Sequence, residues 1–135
     1  MDEPKKIHYL KIEDCSRCTG ADPKQMYEAL LNFSGVELIF ESHFSVHVFM
    51  CSDCTQRWIC VWTEIIEWEG GHDSLYTSIL PVTDPEAEEL IAQRNEVSMN
   101  KVEELGQSRR WLQRDYCNGE IRVRWMDGDL RILEV

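Results

Sequence analysis

Long apolar runs are missing from this chain. No stretch approaches the roughly 20 apolar residues that a membrane-spanning helix needs. The opening Met1 to Lys6 carries its charges without the apolar core of a secretory signal. The expectation is a cytoplasmic protein with no membrane association. Basic residues are also scarce, 14 Lys and Arg against 25 Asp and Glu, for a formal charge of −11. Such a balance repels nucleic acid and anionic membrane and favours fast encounter with a basic partner, although solubility alone also accounts for it. Catalytic signatures are absent too: there is no Gly-rich phosphate loop, nucleophile elbow or H-E-x-x-H helix. The chain is therefore expected not to be an enzyme. Without repeats, low-complexity tracts or linkers, 135 residues that are 43% hydrophobic make one domain, 1–135, with a substantial core.

What is present begins with punctuation. Ile7 to Ile12 is a short β-prone run that ends at Cys15, and Thr19-Gly20 follows as a turn. Asp22 and Pro23 mark a helix start, and Met26, Leu30 and Phe33 recur at helical spacing until Ser34-Gly35, which gives a helical insertion over 22–34. His43 to Met50 alternates and runs into Cys51. Arg57 to Trp68 and Ser74 to Val82 follow as strands around Gly70-Gly71, so three successive strands form an antiparallel meander. Thr83 or Asp84 caps an acidic helical segment over 84–106, interrupted near Asn95 to Ser98. From Arg109 onward, Asn118-Gly119 and Asp127-Gly128 are hairpin signals that predict a three-stranded C-terminal β-meander over 109–135. The fold class is α+β: an antiparallel sheet with two or three helices and a metal site.

Four of the six cysteines stand in two C-x-x-C pairs, Cys15/Cys18 and Cys51/Cys54. Four thiolates satisfy tetrahedral Zn2+ at about 2.3 Å and leave no open position, so the metal is expected to be structural. A two-residue spacer allows both sulfurs of a pair to face one ion, with backbone N–H groups of the tight turn directed at them. The motifs IHYLKIEDCSRCTG and HFSVHVFMCSDCTQRW resemble a zinc ribbon, each pair lying on a knuckle at a strand end, over about residues 7–63. The 32 residues between the pairs exceed the usual spacing of about 15 to 20, so the helix is an insertion into that pattern. A redox C-x-x-C needs no second pair, and buried unmetallated thiols are the other alternative. Cys60, between Trp58 and Trp62, reads as core. Cys117 ends a strand, and His47 is a weaker alternative ligand.

Two surfaces are left to carry function. Glu64, Glu67, Glu69, Asp73, Glu86, Glu88 and Glu89 make an acidic face suited to steering a cationic protein. The size, acidity and lack of catalytic parts resemble small immunity and inhibitor proteins, a resemblance that implies neutralisation of a basic toxin or nuclease. The alternative is nucleic-acid binding, which zinc ribbons often perform. It would use Arg109, Arg110, Arg114, Arg122, Arg124 and Arg131, unless these balance the acidic helix inside the fold. A Glu with His72 as an acid–base pair is a third possibility, weighed against a solvated strand face.

Overall fold

A computed structural model describes residues 18, 22–66 and 73–132. The expected first strand at Ile7 to Ile12, and with it Cys15, Glu67, Glu69 and His72, lies outside them. The element order is α1 (Pro23–Leu30), β1 (Ser34–Glu41), β2 (Phe44–Met50), β3 (Arg57–Ile66), β4 (Asp73–Val82), α2 (Asp84–Gln93), a short 3-10 turn (Arg94–Glu96), α3 (Met99–Leu105), β5 (Arg110–Cys117) and β6 (Glu120–Asp127). All six strands form one antiparallel sheet in sequence order. The α+β expectation therefore holds.

Alternation along the strands makes both sheet faces apolar, and each face has its own cover. Val46, Val48, Ile59, Val61, Leu80 and Val82 pack beneath Ala87 and Leu90 of α2 and Val102 of α3. On the opposite face Trp58, Cys60, Ile79 and Leu112 pack with Met26 and Leu30 of α1 and with Cys18, Cys51 and Cys54. The molecule thus has three layers, α1 on one side of the sheet and α2 with α3 on the other.

Local signals explain the helix starts. The Asp22 side chain accepts from the Lys24 N–H at 3.0 Å, and Pro23 occupies the first turn. Thr83 caps α2 in a capping box, accepting from the Glu86 N–H at 3.3 Å while Glu86 accepts from the Thr83 N–H at 2.9 Å. The expected break near Asn95 to Ser98 occurs as the 3-10 turn and the non-helical Val97-Ser98.

Two differences from expectation have physical causes. Ser34–Glu41 is a strand that the periodicity does not announce, because a bulge between Glu37 and Ile39 resets its alternation. The third strand expected after Asp127-Gly128 does not form through Ile132. Gly128 and Asp129 both take positive φ, 67° and 51°, and swing the chain off the sheet beneath α3. There Leu130 is fully buried against Gly106, where a Cβ would stand 2.4 Å from that of Leu130. The C-terminal unit is therefore a two-stranded hairpin followed by a packed tail.

Arg109, buried to 5% exposure, ties the helical layer to the sheet. It donates to both Glu86 oxygens at 2.7 and 2.5 Å and to the Pro81 carbonyl at 3.1 Å. Burial pushes the Glu86 pKa up, but the hydrogen bonds and charge of Arg109, with the Thr83 N–H, outweigh it and hold the carboxyl below its ordinary value. Stability from this pair is therefore complete above the ordinary carboxylate pKa of about 4.3 and lost as pH falls through the depressed folded value. Glu86→Gln removes the carboxylate that balances the buried Arg109 charge. The expected cost is about 3 kcal/mol near neutrality. In urea melts the gap to the unsubstituted chain should narrow below about pH 4; a gap independent of pH would refute this role.

Candidate metal centre

The loop between β2 and β3 is built to present sulfur. Met50 ends β2 and Cys51 follows directly. The Thr55 N–H donates to the Cys51 carbonyl at 3.0 Å and the Cys51 N–H to the Gln56 carbonyl at 2.9 Å, which closes a turn that Thr55 completes at φ 63°. Gln56, fully buried, donates its amide to the carbonyls of Arg57 and Val82 at 2.9 Å each and so fastens the loop to the end of β4. The Asp53 N–H points at Cys51 Sγ at 3.4 Å, the backbone-to-sulfur bond expected of such a turn.

Cys18, near the start of α1, brings its sulfur into this loop. The Sγ atoms of Cys18, Cys51 and Cys54 all lie within 4.8 Å of one another, all three residues are buried, and Cys18 and Cys54 stand 3.5 Å apart. Tetrahedral bonds of about 2.3 Å place neighbouring sulfurs about 3.8 Å apart, so this spacing suits a single ion. Three of the four cysteines singled out by spacing thus converge on one point. Cys15 lies outside the described residues.

Burial pushes the Cys18 thiol far up. The Trp58 indole works against this by favouring the thiolate, while Cys54 and Cys51 push it higher. Trp58 is 1% exposed, and among the described residues its indole N–H meets no partner in good hydrogen-bond geometry, which leaves it turned toward the sulfurs. Its dipole, like that of the Asp53 N–H on Cys51, rewards negative charge on sulfur. A cluster of three buried thiols ionises when a cation shares the site, and a soft metal ion is the cation that suits thiolate.

Among the described residues, the remaining cysteines and His47 lie outside this sulfur cluster. Cys60 is buried among the residues beside Trp58, and burial alone pushes its thiol up, in keeping with core. His47 stacks between Phe49 and Trp62 at 5.7 and 5.4 Å, and burial lowers its pKa. Cys117 donates to the Tyr76 hydroxyl at 3.4 Å beside a cavity of about 510 Å³ that Asp115 and Arg122 also line. That bond raises the Tyr76 pKa, so the hydroxyl offers no base to the thiol. Asp115 is held by Gln113 at 2.9 Å and Arg124 at 3.6 Å.

Of the acidic face, Glu86 is committed to Arg109. Glu88 pairs with Arg57 at 3.5 Å, Glu89 pairs with Lys101, and Glu64 accepts from His43 Nδ1 at 2.8 Å. Exposed pairs of this kind are weak and readily exchanged. Asp73 opens β4. No family model, curated protein or solved structure matches the chain.

Purified protein is expected to carry one metal ion per chain by elemental mass spectrometry. Ions in such sites contribute about 10 to 16 kcal/mol, comparable with a domain's whole net stability of about 5 to 15. Cys51→Ser should therefore lose both the ion and cooperative melting. A variant that keeps its metal and its melting temperature would overturn the site.

Proposed function

We propose that the protein is a non-catalytic acidic module that binds and neutralises a basic protein of the toxin or nuclease kind, with zinc as its structural metal. In this reading Cys15 is the fourth ligand, separated from Cys18 by two residues just as Cys51 is from Cys54. Four thiolates leave zinc no position for water, which suits a clamp and not a hydrolytic centre.

The observation that carries the reading is the internal use of the C-terminal arginines. Arg109 is consumed by Glu86, Arg110 lies 4.2 Å over the Trp125 ring and Arg114 4.7 Å over Tyr27. Arg122 pairs with Glu120, Arg124 with Asp115, both at 3.6 Å, and Arg131 donates to the Leu130 carbonyl. Arg109 is withdrawn from solvent and Arg110 and Arg114 rest on rings, while Arg122 and Arg124 keep exposed pairs, and a charge of −11 remains for the molecule as a whole. Such a field attracts a cationic protein and repels a polyanion. Glu88 and Glu89 on α2, held only by partly exposed pairs, can serve as a steering surface, whereas Glu64 stands on the opposite side of the sheet.

Affinity capture of the full chain from its source cell, followed by mass spectrometry, should return a basic protein whose own activity falls on binding. The association rate should drop about tenfold or more as salt rises from low to physiological. Recovery of nucleic acid alone, bound in a salt-sensitive way, would overturn the reading. Metal analysis of the same preparation should return zinc.

A further inference from the structure

The face of the sheet that carries the sulfur cluster ends, at the β1–β2 hairpin, in a second feature. Phe40 lies opposite Ser45, and Ser45 opposite Trp62, so Phe40 and Trp62 share a row across β1, β2 and β3. In the adjoining row Glu64 stands opposite Leu75 and Leu75 opposite Tyr116. Among the described residues, the helix on this face packs over β5 and β6, whereas the hairpin end presents Phe40 at 73% exposure. A cavity of about 230 Å³ opens there, walled by Phe40, Trp62 and Leu75 and rimmed by Glu41, His43 and Glu64.

Size and chemistry together narrow the occupant. Drug-sized and cofactor sites occupy about 300 to 1,000 Å³, so this cavity fits a single side chain. Aromatic faces attract a cation, and a carboxylate rim neutralises it while repelling phosphate. The carboxylate of Glu64 is oriented by the His43 Nδ1–H at 2.8 Å on Oε1. A planar guanidinium can stack on an aromatic ring and fork onto a carboxylate in one pose, which an ammonium does less well.

Resting on the reading of the molecule as a binder of basic proteins, we propose that this cavity receives an arginine side chain of the partner. Exposed aromatic walls and charge complementarity make it an anchor point, in contrast to the diffuse acidic face that governs encounter. The walls stand on strands β1, β3 and β4 and on the β1–β2 turn, so the cavity is preformed by the sheet register.

The test uses the full metal-loaded chain and a named probe, N-acetyl-arginine amide, titrated while backbone and indole NMR resonances are followed. Saturable shifts are expected at Phe40, Trp62 and Glu64, with N-acetyl-citrulline amide, the uncharged counterpart, producing none. Phe40→Ala and Glu64→Gln should each weaken the probe about threefold to tenfold. Phe40 is exposed enough that its variant should keep the parent melting temperature, so a loss of fold in Glu64→Gln leaves the test standing. Equal shifts with the citrulline probe, shifts centred elsewhere, or a short oligonucleotide moving the same resonances would each overturn the proposal. Once a basic partner is in hand, unchanged affinity in Phe40→Ala overturns the cavity and leaves the wider reading intact. Failure to find any basic partner overturns the wider reading, while the probe titration still decides the cavity.

Discussion

Burying three sulfur atoms within 4.8 Å of one another, in a cluster that also holds Met26, Leu30 and Trp58, is stable as three neutral thiols or as thiolates around a cation. An uncompensated negative charge in that environment costs several kcal/mol. The arrangement of one whole layer follows from this choice. Helix α1 has eight residues, too few to hold together in water alone, where about 12 to 15 are marginal. It is kept on the sheet by Met26 and Leu30 beneath it and by Cys18 just before its cap, whose sulfur reaches the β2–β3 loop.

The opposite layer is held by different means. Helices α2 and α3 press Ala87, Leu90, Met99 and Val102 onto the sheet, and their entry is locked by the Thr83 and Glu86 capping box. Glu86 serves twice, closing that box and receiving both arms of Arg109. Leu130 and Ile132 then close the edge, the Ile132 N–H donating to Glu103 at 2.8 Å. This side depends on apolar area and one buried ion pair, so it contributes stability that metal does not govern. Strand β3 links the two regimes, turning Trp58 and Cys60 to the sulfur side and Ile59 and Val61 to the helical side.

Legibility in the sequence follows the range of the interaction. Caps and turns are local, and Asp22-Pro23, Thr83 with Glu86, and Asn118-Gly119 are read directly from neighbouring residues. The cysteine spacing is nearly as local, since each pair closes a turn, and it brought Cys18, Cys51 and Cys54 forward before any fold was known. Strand β1 escaped because its bulge turns Leu38 and Ile39 toward the same core and breaks the period of two. The apolar run Val36 to Phe40 between Gly35 and the Ser42-His43 turn is the signal that would have found it. The tail after Asp127 escaped because a hairpin signature and a chain reversal off the sheet both begin with Asp-Gly. Pairings such as Arg109 with Glu86 join positions 23 apart, and only the layer packing sets which acid meets which arginine.

That last point shapes how charge bears on binding. Along the chain, residues 1–104 carry 8 basic and 20 acidic side chains, and residues 105–135 carry 6 against 5. Folding redistributes this. The basic end places its guanidinium groups beside Glu86, Asp115, Glu120 and two aromatic rings. Carboxylates at the hairpin end, by contrast, keep company with aromatic side chains at the surface, where Phe40 and Trp62 lie beside Glu41 and Glu64. Long-range attraction comes from net charge and is lost in salt, whereas a carboxylate next to an aromatic wall acts at contact, where water is excluded and screening is weak. A partner drawn by the first effect would be retained by the second, and only the second depends on which side chain it presents.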